Sequence, residues 1–160
     1  MGVWRGGTGS LLCKRAPDKR VYLADTFSGV VKTGAKDPHY FGGEHSDTSI
    51  NVVERLIASL KIRNATIWKG IFPDDFDDLP SYCFVHIDVD VYESAKGVFD
   101  AVWPRISVGG VVVFDDYGFD TTSGVAELVN SYKNDPEKLI IHNLNGHAIA
   151  IKLSESDLKP

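Results

Sequence analysis

Four aspartates stand at the ends of two apolar runs. Asp88 and Asp90 close Phe84-Val85-His86-Ile87-Asp88-Val89-Asp90, and Asp115 and Asp116 close Gly109-Gly110-Val111-Val112-Val113-Phe114-Asp115-Asp116. An apolar run that stops abruptly at carboxylates is how a strand of a parallel sheet looks when its carboxyl end opens into a site. If the segment between them is a crossover helix, the two ends lie side by side. The four carboxylates then crowd one crevice, where a cation, a proton or a positively charged ligand must compensate them. Capping of a following helix accounts for any one of these aspartates but not for all four. The cluster points to a binding or catalytic site.

A second group opens the chain. In Gly2-Val3-Trp4-Arg5-Gly6-Gly7-Thr8-Gly9-Ser10 a glycine turn leads into a helix, so backbone amides can approach a ligand closely and the helix start favours a carboxylate or phosphate. Taken alone, a flexible glycine-rich terminus reads the same way. Asp25 follows roughly twenty residues later, at the end of the strand Val21 to Ala24, where a carboxylate can accept hydrogen bonds from ribose hydroxyls; an aspartate capping Thr26-Phe27-Ser28-Gly29 is the plainer alternative. Gly70, after a further strand, could bring backbone against an adenine ring, with Ile71 or Phe72 packing on it. His86 reads as a satisfied core histidine rather than a catalytic one. Tyr92 and Glu93 lead into the crossover helix, and Tyr117 could line the substrate side. Tyr92 and Lys96 have the Tyr-x-x-x-Lys spacing of short-chain hydride transfer, which leaves a nicotinamide-dependent oxidoreductase as the weaker reading, since that spacing arises often by chance.

The elements that must position these residues alternate along the chain. Val21 to Ala24 predicts a strand, residues 30 to 43 a loop, and a helix capped by Ser46 or Asp47 carries Ile50, Val53, Leu56, Ile57 and Leu60 on one face. Thr66 to Trp68 predicts a strand entering Lys69-Gly70, and Tyr82 to Val89 the central buried strand. Ser94 to Trp103 predicts the crossover helix, ended by Pro104. A strand at Val111 to Phe114 and a helix from about Ser123 to Tyr132 follow. Leu139 to Asn143 and Ala148 to Leu153 close the chain as an antiparallel pair around Asn145-Gly146, a strong hairpin signal. Parallel strands alternating with helices and finishing in an antiparallel hairpin make a doubly wound, mostly parallel α/β sheet, Rossmann-like, within a single domain over residues 1–160.

Composition excludes several classes. With 160 residues, 43% of them hydrophobic, the chain has material for one sizeable core. A net charge of -5 without a cluster of Lys or Arg argues against nucleic acid or an anionic membrane as partner. Lys14-Arg15 and Lys19-Arg20, separated by Pro17 and Asp18, read as a solvated helix end. Cys13 and Cys83 sit among apolar neighbours and are expected as buried thiols in a reducing compartment. No apolar stretch approaches the roughly eighteen residues a membrane helix needs, and the start lacks a signal-peptide core, so the expected location is cytoplasmic.

The terminal hairpin is typical, by fold analogy, of S-adenosylmethionine-dependent class I methyltransferases. GVWRGG, ADTFSG, HIDVDVYES and SVGGVVVFDDYG, in that order, resemble the motifs of the macrocin O-methyltransferase family, over Gly2 to about Leu153. That resemblance implies a S-adenosylmethionine- and Mg2+-dependent O-methyltransferase acting on a small-molecule hydroxyl, on a sugar of a natural product. It implies Asp88, Asp115 and Asp116 as metal ligands and Asp88 as general base. The implied cofactor-binding set is Gly6, Gly7, Thr8, Asp25, Thr26, Ser28, Gly70 and Ile71. A cation with oxygen ligands lowers the high pKa of a sugar hydroxyl, and the sulfonium methyl then needs only alignment for displacement. Family members carry a helical region and a full strand ahead of the glycine motif, whereas Met1 alone precedes it here. The first strand is therefore expected to be clipped, and a catalytically incompetent cofactor-binding domain is the alternative. The oligomeric state stays open, a homo-oligomer included.

Overall fold

A computed structural model describes residues 1–154 of the chain, and the end of the expected domain, 155–160, lies outside the described residues. The elements alternate as the periodicities require: α1 (Gly7–Arg15), β1 (Val21–Asp25), α2 (Ile50–Ser59), β2 (Ala65–Lys69), β3 (Tyr82–Ile87), α3 (Tyr92–Val102), β4 (Ile106–Phe114), α4 (Ser123–Ser131), β5 (Lys138–His142) and β6 (Ala148–Lys152). β1 pairs with β2 in parallel, and a second ladder runs β3-β4-β6-β5. Within it β3 and β4 are parallel, while β6 is antiparallel to both β4 and β5. Val111 faces Ile151 and Phe114 faces Ala148, so the closing hairpin lies where its Asn-Gly turn placed it.

Met1 and Gly2 join the two ladders. The Met1 amino group donates to the His86 carbonyl at 2.6 Å, and the Asp88 amide donates to the Met1 carbonyl at 3.0 Å. On the other side the Gly2 amide donates to the Ala24 carbonyl at 3.0 Å. These are strand-type bonds to β3 and to β1, and they tie the carboxyl ends of the two ladders together. Only glycine fits at position 2: its φ is +76°, and a Cβ there would lie 1.5 Å from the Asp88 carbonyl oxygen.

The core forms on the face covered by α3 and α4. Ala95, Val98, Phe99 and Val102 recur at helical spacing on α3 and meet Val125, Leu128 and Val129 of α4. Together they cover Val85, Ile87, Val112, Phe114, Ala148 and Ala150. Phe99 lies 5.0 Å from the Trp103 ring, 4.7 Å from Tyr132 and 5.3 Å from Phe114, so one side chain staples helix to sheet. Burial of each such side chain contributes about 1.5–3 kcal/mol, so this packing anchors the β3–β4 platform.

Several boundaries differ from those expected. α2 starts at Ile50 behind Ser49, not behind Ser46 or Asp47, because Asp47 is drawn away to the Trp4 indole N–H at 2.8 Å and to Arg5. β3 ends at Ile87 rather than Val89, since the Val91 amide bonds the Val89 carbonyl at 2.8 Å and turns the chain. α3 begins at Tyr92, ahead of Ser94, and β4 begins at Ile106, well ahead of Val111. Cys13 is buried as expected, but Cys83 is exposed: the β3–β4 register shifts between Tyr82 and Phe84 and turns it outward.

Candidate active site

Strand pairing brings the carboxylates together. Ile87 of β3 faces Phe114 of β4, so one residue further along Asp88 comes beside Asp115. His86 and Asp88 are two apart and leave the strand on the same side, and Asp115 meets them there. The His86 Nε2 lies 3.2 Å from Asp115 Oδ1, and His147, from the β5–β6 turn, places its Nε2 3.0 Å from that same oxygen. One ligand atom from each of His86, Asp88 and Asp115 lies within 4.8 Å of the others. Two carboxylates and an imidazole this close fit a divalent cation by the chemistry of their donors.

Asp116 turns the other way. It is 7% exposed, and its Oδ2 accepts the Val89 amide at 3.2 Å and the Asp90 amide at 2.9 Å. Thr122 Oγ1 donates to its carbonyl at 2.6 Å. Asp116 therefore caps the turn after β3 and stands apart from the cluster of His86, Asp88 and Asp115. Asp90 sits in that turn at φ +66°, accepting the Tyr40 hydroxyl at 2.7 Å with His45 at 3.8 Å.

The carboxylates differ in electrostatics. Burial, reinforced by the charge of Asp115 and opposed by His86, pushes Asp88 up to about 6. Burial and then Asp90 and Asp88 push Asp116 up to about 8. Asp115 moves down, held there first by its hydrogen bond to His86. Asp90 moves up, mainly through burial and against the Tyr40 hydrogen bond. Asp115 is thus the settled anion of the group, and Asp88 sits near the pH at which a carboxylate can take up a proton.

Beside the cluster is a cavity of about 240 Å³ whose walls include Asp25, Thr26, Gly70, Ile71, Asp88 and Asp90. Asp25 Oδ2 accepts the amides of Val3 at 2.6 Å and Trp4 at 2.8 Å, and Oδ1 accepts that of Phe27 at 2.6 Å. A carboxylate offers about four acceptor positions, so three are used and one is left for a ligand. Gly70 donates to the Asp25 carbonyl at 3.0 Å, and a Cβ on it would lie 2.9 Å from Asp75 Oδ2. Asp75 Oδ2 in turn accepts the Ile71 amide at 2.7 Å. A polar wall at Asp25 and Thr26 facing backbone at Gly70 and Ile71 fits a nucleoside.

Gly6, Gly7, Thr8 and Ser28 are not among the residues lining this cavity. Gly6, at φ +86°, starts α1 and faces Val53 and Leu56 of α2, so its role in the fold is helix packing; Gly2 and Trp4 line the cavity instead. Tyr117 donates to Asn130 at 2.9 Å, and Lys96 is engaged with Asp100, away from Tyr92. The loop between β1 and α2 closes over the crevice and supplies Tyr40 and His45. Buried Asp37 pins it by accepting the Tyr92 amide at 2.9 Å and the Gly34 amide at 3.3 Å. Tyr40, His45 and His147 were not singled out in the sequence. Asn145-Gly146 alone could have flagged His147, by placing it at the turn beside the end of β4.

The chain resembles known proteins along most of its length. The family model for macrocin-O-methyltransferase (TylF) matches residues 1–146. An 8-demethyl-8-(2,3-dimethoxy-alpha-L-rhamnosyl)-tetracenomycin-C 4'-O-methyltransferase of Streptomyces olivaceus is 31% identical over 74% of this chain and 52% of its own. Demethyldecarbamoylnovobiocin O-methyltransferase of Streptomyces niveus is 30% identical over 72% of this chain and 50% of its own. This chain spans about half the length of these relatives. Among solved structures, the O-methyltransferase NovP superposes with a TM-score of 0.81 at 25% identity, covering 96% of this chain and 70% of that one. CalS11, a calicheamicin methyltransferase, superposes at 0.75 with 15% identity over 94% and 69%, a likeness of fold. The architecture is that of class I methyltransferases, Rossmann-like with its antiparallel closing hairpin, and by its matched stretch the chain belongs to the macrocin-O-methyltransferase family.

Proposed function

We propose that this chain forms one methyltransferase domain that transfers the methyl group of S-adenosylmethionine to a hydroxyl on the sugar of a small natural product, with a divalent cation, Mg2+ in the first instance, at the strand ends. The observation that carries the reading is the position of Asp88, which lines the cavity and also belongs to the cluster with His86 and Asp115. Family membership supports the chemistry, and a relative named for a rhamnosyl-bearing product supports the substrate class.

In this reading Asp25, Thr26, Gly70 and Ile71 hold the nucleoside part, with Ser28 behind them, while Gly6, Gly7 and Thr8 shape the start of α1. S-adenosylmethionine supplies the electrophilic methyl, and the cation, when bound among the aspartates, acidifies the acceptor hydroxyl. Asp88, at the edge of the cavity, takes the proton on a carboxylate oxygen. Asp115 stays ionised between two imidazoles and balances the positive charge that gathers there. Asp116 holds the Val89–Asp90 turn beneath. The described residues contain no helix long and apolar enough to cross a membrane.

Methyl transfer from labelled S-adenosylmethionine to a panel of glycosylated natural products with free sugar hydroxyls tests this directly. Label is expected on the sugar, with the rate falling roughly 10²–10⁴-fold in Asp88→Asn. Cofactor binding without transfer to any acceptor would make the chain a binding module, and undiminished transfer in Asp88→Asn would remove Asp88 as the base.

A further inference from the structure

The turn of the closing hairpin is built against the carboxylate crevice. Asn143 Oδ1 accepts the amides of Asn145 at 3.0 Å and His147 at 3.1 Å, which leaves its NH2 group to face His147 Nδ1 at 3.0 Å. With Nδ1 accepting, the imidazole carries its proton on Nε2 and donates it to Asp115 Oδ1 at 3.0 Å. The turn also meets the segment that follows β4. The Gly118 amide donates to the Gly146 carbonyl at 2.7 Å, and a Cβ on Gly146 would lie 2.7 Å from the Phe119 ring. A fixed wall therefore stands beside Asp115, and it presents apolar groups to water: Phe119 is 50% exposed and Leu144 87%. On the loop that closes over the crevice, Tyr40 is tied to Asp90 at 2.7 Å, and the next residue, Phe41, is 85% exposed. Leu144 and Phe41 are the most exposed large apolar side chains among the described residues. Each lies within three residues of a side chain bonded to a crevice aspartate, so their exposure is concentrated at one mouth.

We propose that Phe119 and Leu144, assisted by Phe41, hold the apolar aglycone of a glycoside whose sugar enters the crevice at Asp88, so that the acceptor is chosen by its aglycone. The inference rests on the methyltransferase reading for the sugar hydroxyl at Asp88; the aglycone site is read from the exposed side chains. None of the three residues lines the cavity at Asp25 and Gly70, so a nucleoside held there leaves them free for a second ligand. A sugar hydroxyl exchanges hydrogen bonds with water for hydrogen bonds with protein and gains little by the exchange. An apolar ring system laid on Phe119 and Leu144 gains in proportion to the area it removes from water. The two parts of the acceptor thus do different work: the aglycone supplies affinity, and the rigid turn sets the distance from aglycone to sugar hydroxyl that alignment for transfer requires.

Titration of methyl α-L-rhamnoside and of naphthyl α-L-rhamnoside into the full chain, with and without S-adenosylhomocysteine, tests this by calorimetry and amide resonances. The naphthyl glycoside is expected to bind roughly tenfold or more tightly, with shifts at Gly118, Phe119, Leu144 and Gly146. The preference should fall to within a few-fold of unity in Phe119→Ala and in Leu144→Asn, with affinity for S-adenosylhomocysteine unchanged. Asparagine suits the φ of +64° at position 144, so Leu144→Asn keeps the turn even where Phe119→Ala loosens the segment beside it. Equal affinity for the two glycosides in the parent chain, binding of neither, or a preference that survives both variants would overturn the proposal. Naphthol binding as tightly as its glycoside would overturn it too, since the sugar would then have no part. Turnover with labelled S-adenosylmethionine separates the two levels. Aglycone-dependent binding without methyl transfer would contradict the methyltransferase reading and leave the aglycone site standing, while transfer to both glycosides with equal KM would do the reverse.

Discussion

Asp88 and Asp116 are both pushed upward by burial, yet their surroundings give them different work. Asp88 opens onto the cavity, whereas Asp116 is buried with two amides to hold. A buried acid whose folded value lies near 8 against 3.8 ordinarily stabilises the fold fully below pH 4, and that contribution is lost as pH rises toward 8. Asp116→Asn keeps an acceptor oxygen for the amides and removes the ionisation. In metal-free protein its melting temperature should match the parent near pH 4 and exceed it increasingly up to about pH 8; a parallel decline of both proteins over that range would contradict the neutral form. Asp25 carries the opposite burden, since its three backbone bonds make it structural as well as ligand-facing. Asp25→Ala is expected to lower stability by about 1–3 kcal/mol and to weaken S-adenosylmethionine roughly tenfold or more, with Mg2+ affinity unchanged, read by thermal melts and calorimetry. That dual role was half legible: the position of Asp25 at a strand end was plain, but the demand of Val3 and Trp4 for its oxygens depends on Met1-Gly2 lying between the ladders, which no local pattern shows.

At the scale of elements, strand and helix identities followed from periodicity, while their ends were set by partners far along the chain. β3 stops at Ile87 because Asp116, twenty-eight residues beyond Asp88, captures the amides of Val89 and Asp90. α2 starts behind Ser49, whose carbonyl accepts the Val52 amide at 3.0 Å, while Asp47 answers to Trp4 and Arg5 instead. The loop from β1 to α2 was legible as a loop and nothing more, since no periodicity shows that Asp37 will pin it to the start of α3 or that Tyr40 will reach Asp90. Asp37 is buried against Gly124, whose Cβ, if present, would lie 2.3 Å from Asp37 Oδ1, so helix α4 is fitted to the pinned loop. Removing that anchor in Asp37→Ala leaves the Tyr92 amide without its partner, at a cost of about 1–3 kcal/mol. Amide exchange and limited proteolysis should quicken across residues 30–47 more than in β3 and β4; uniform acceleration throughout the molecule would show that the loop has no separate anchor.

The molecule as a whole is two ladders tied at their carboxyl ends, and the cavity lies where they are tied. Gly2 stands between the Ala24 carbonyl and the backbone of Asp88, so the nucleoside wall at Asp25 and the acid at Asp88 are held across a short, rigid bridge. That arrangement follows from alternation, from the two aspartate-ended strands and from the Asn-Gly hairpin, all visible in sequence; the split into two ladders was not, because it is decided by which strands find neighbours. It also makes the cofactor the most direct test of the central claim, since one ligand must touch both ladders. Titration of S-adenosylmethionine into the isotope-labelled chain, followed by amide resonances, should perturb Asp25, Thr26, Gly70 and Ile71 on one ladder together with Asp88 and Val89 on the other, while a nicotinamide dinucleotide at the same concentration leaves them in place. No perturbation by S-adenosylmethionine at millimolar concentration, or a matching response to the dinucleotide, would contradict the account.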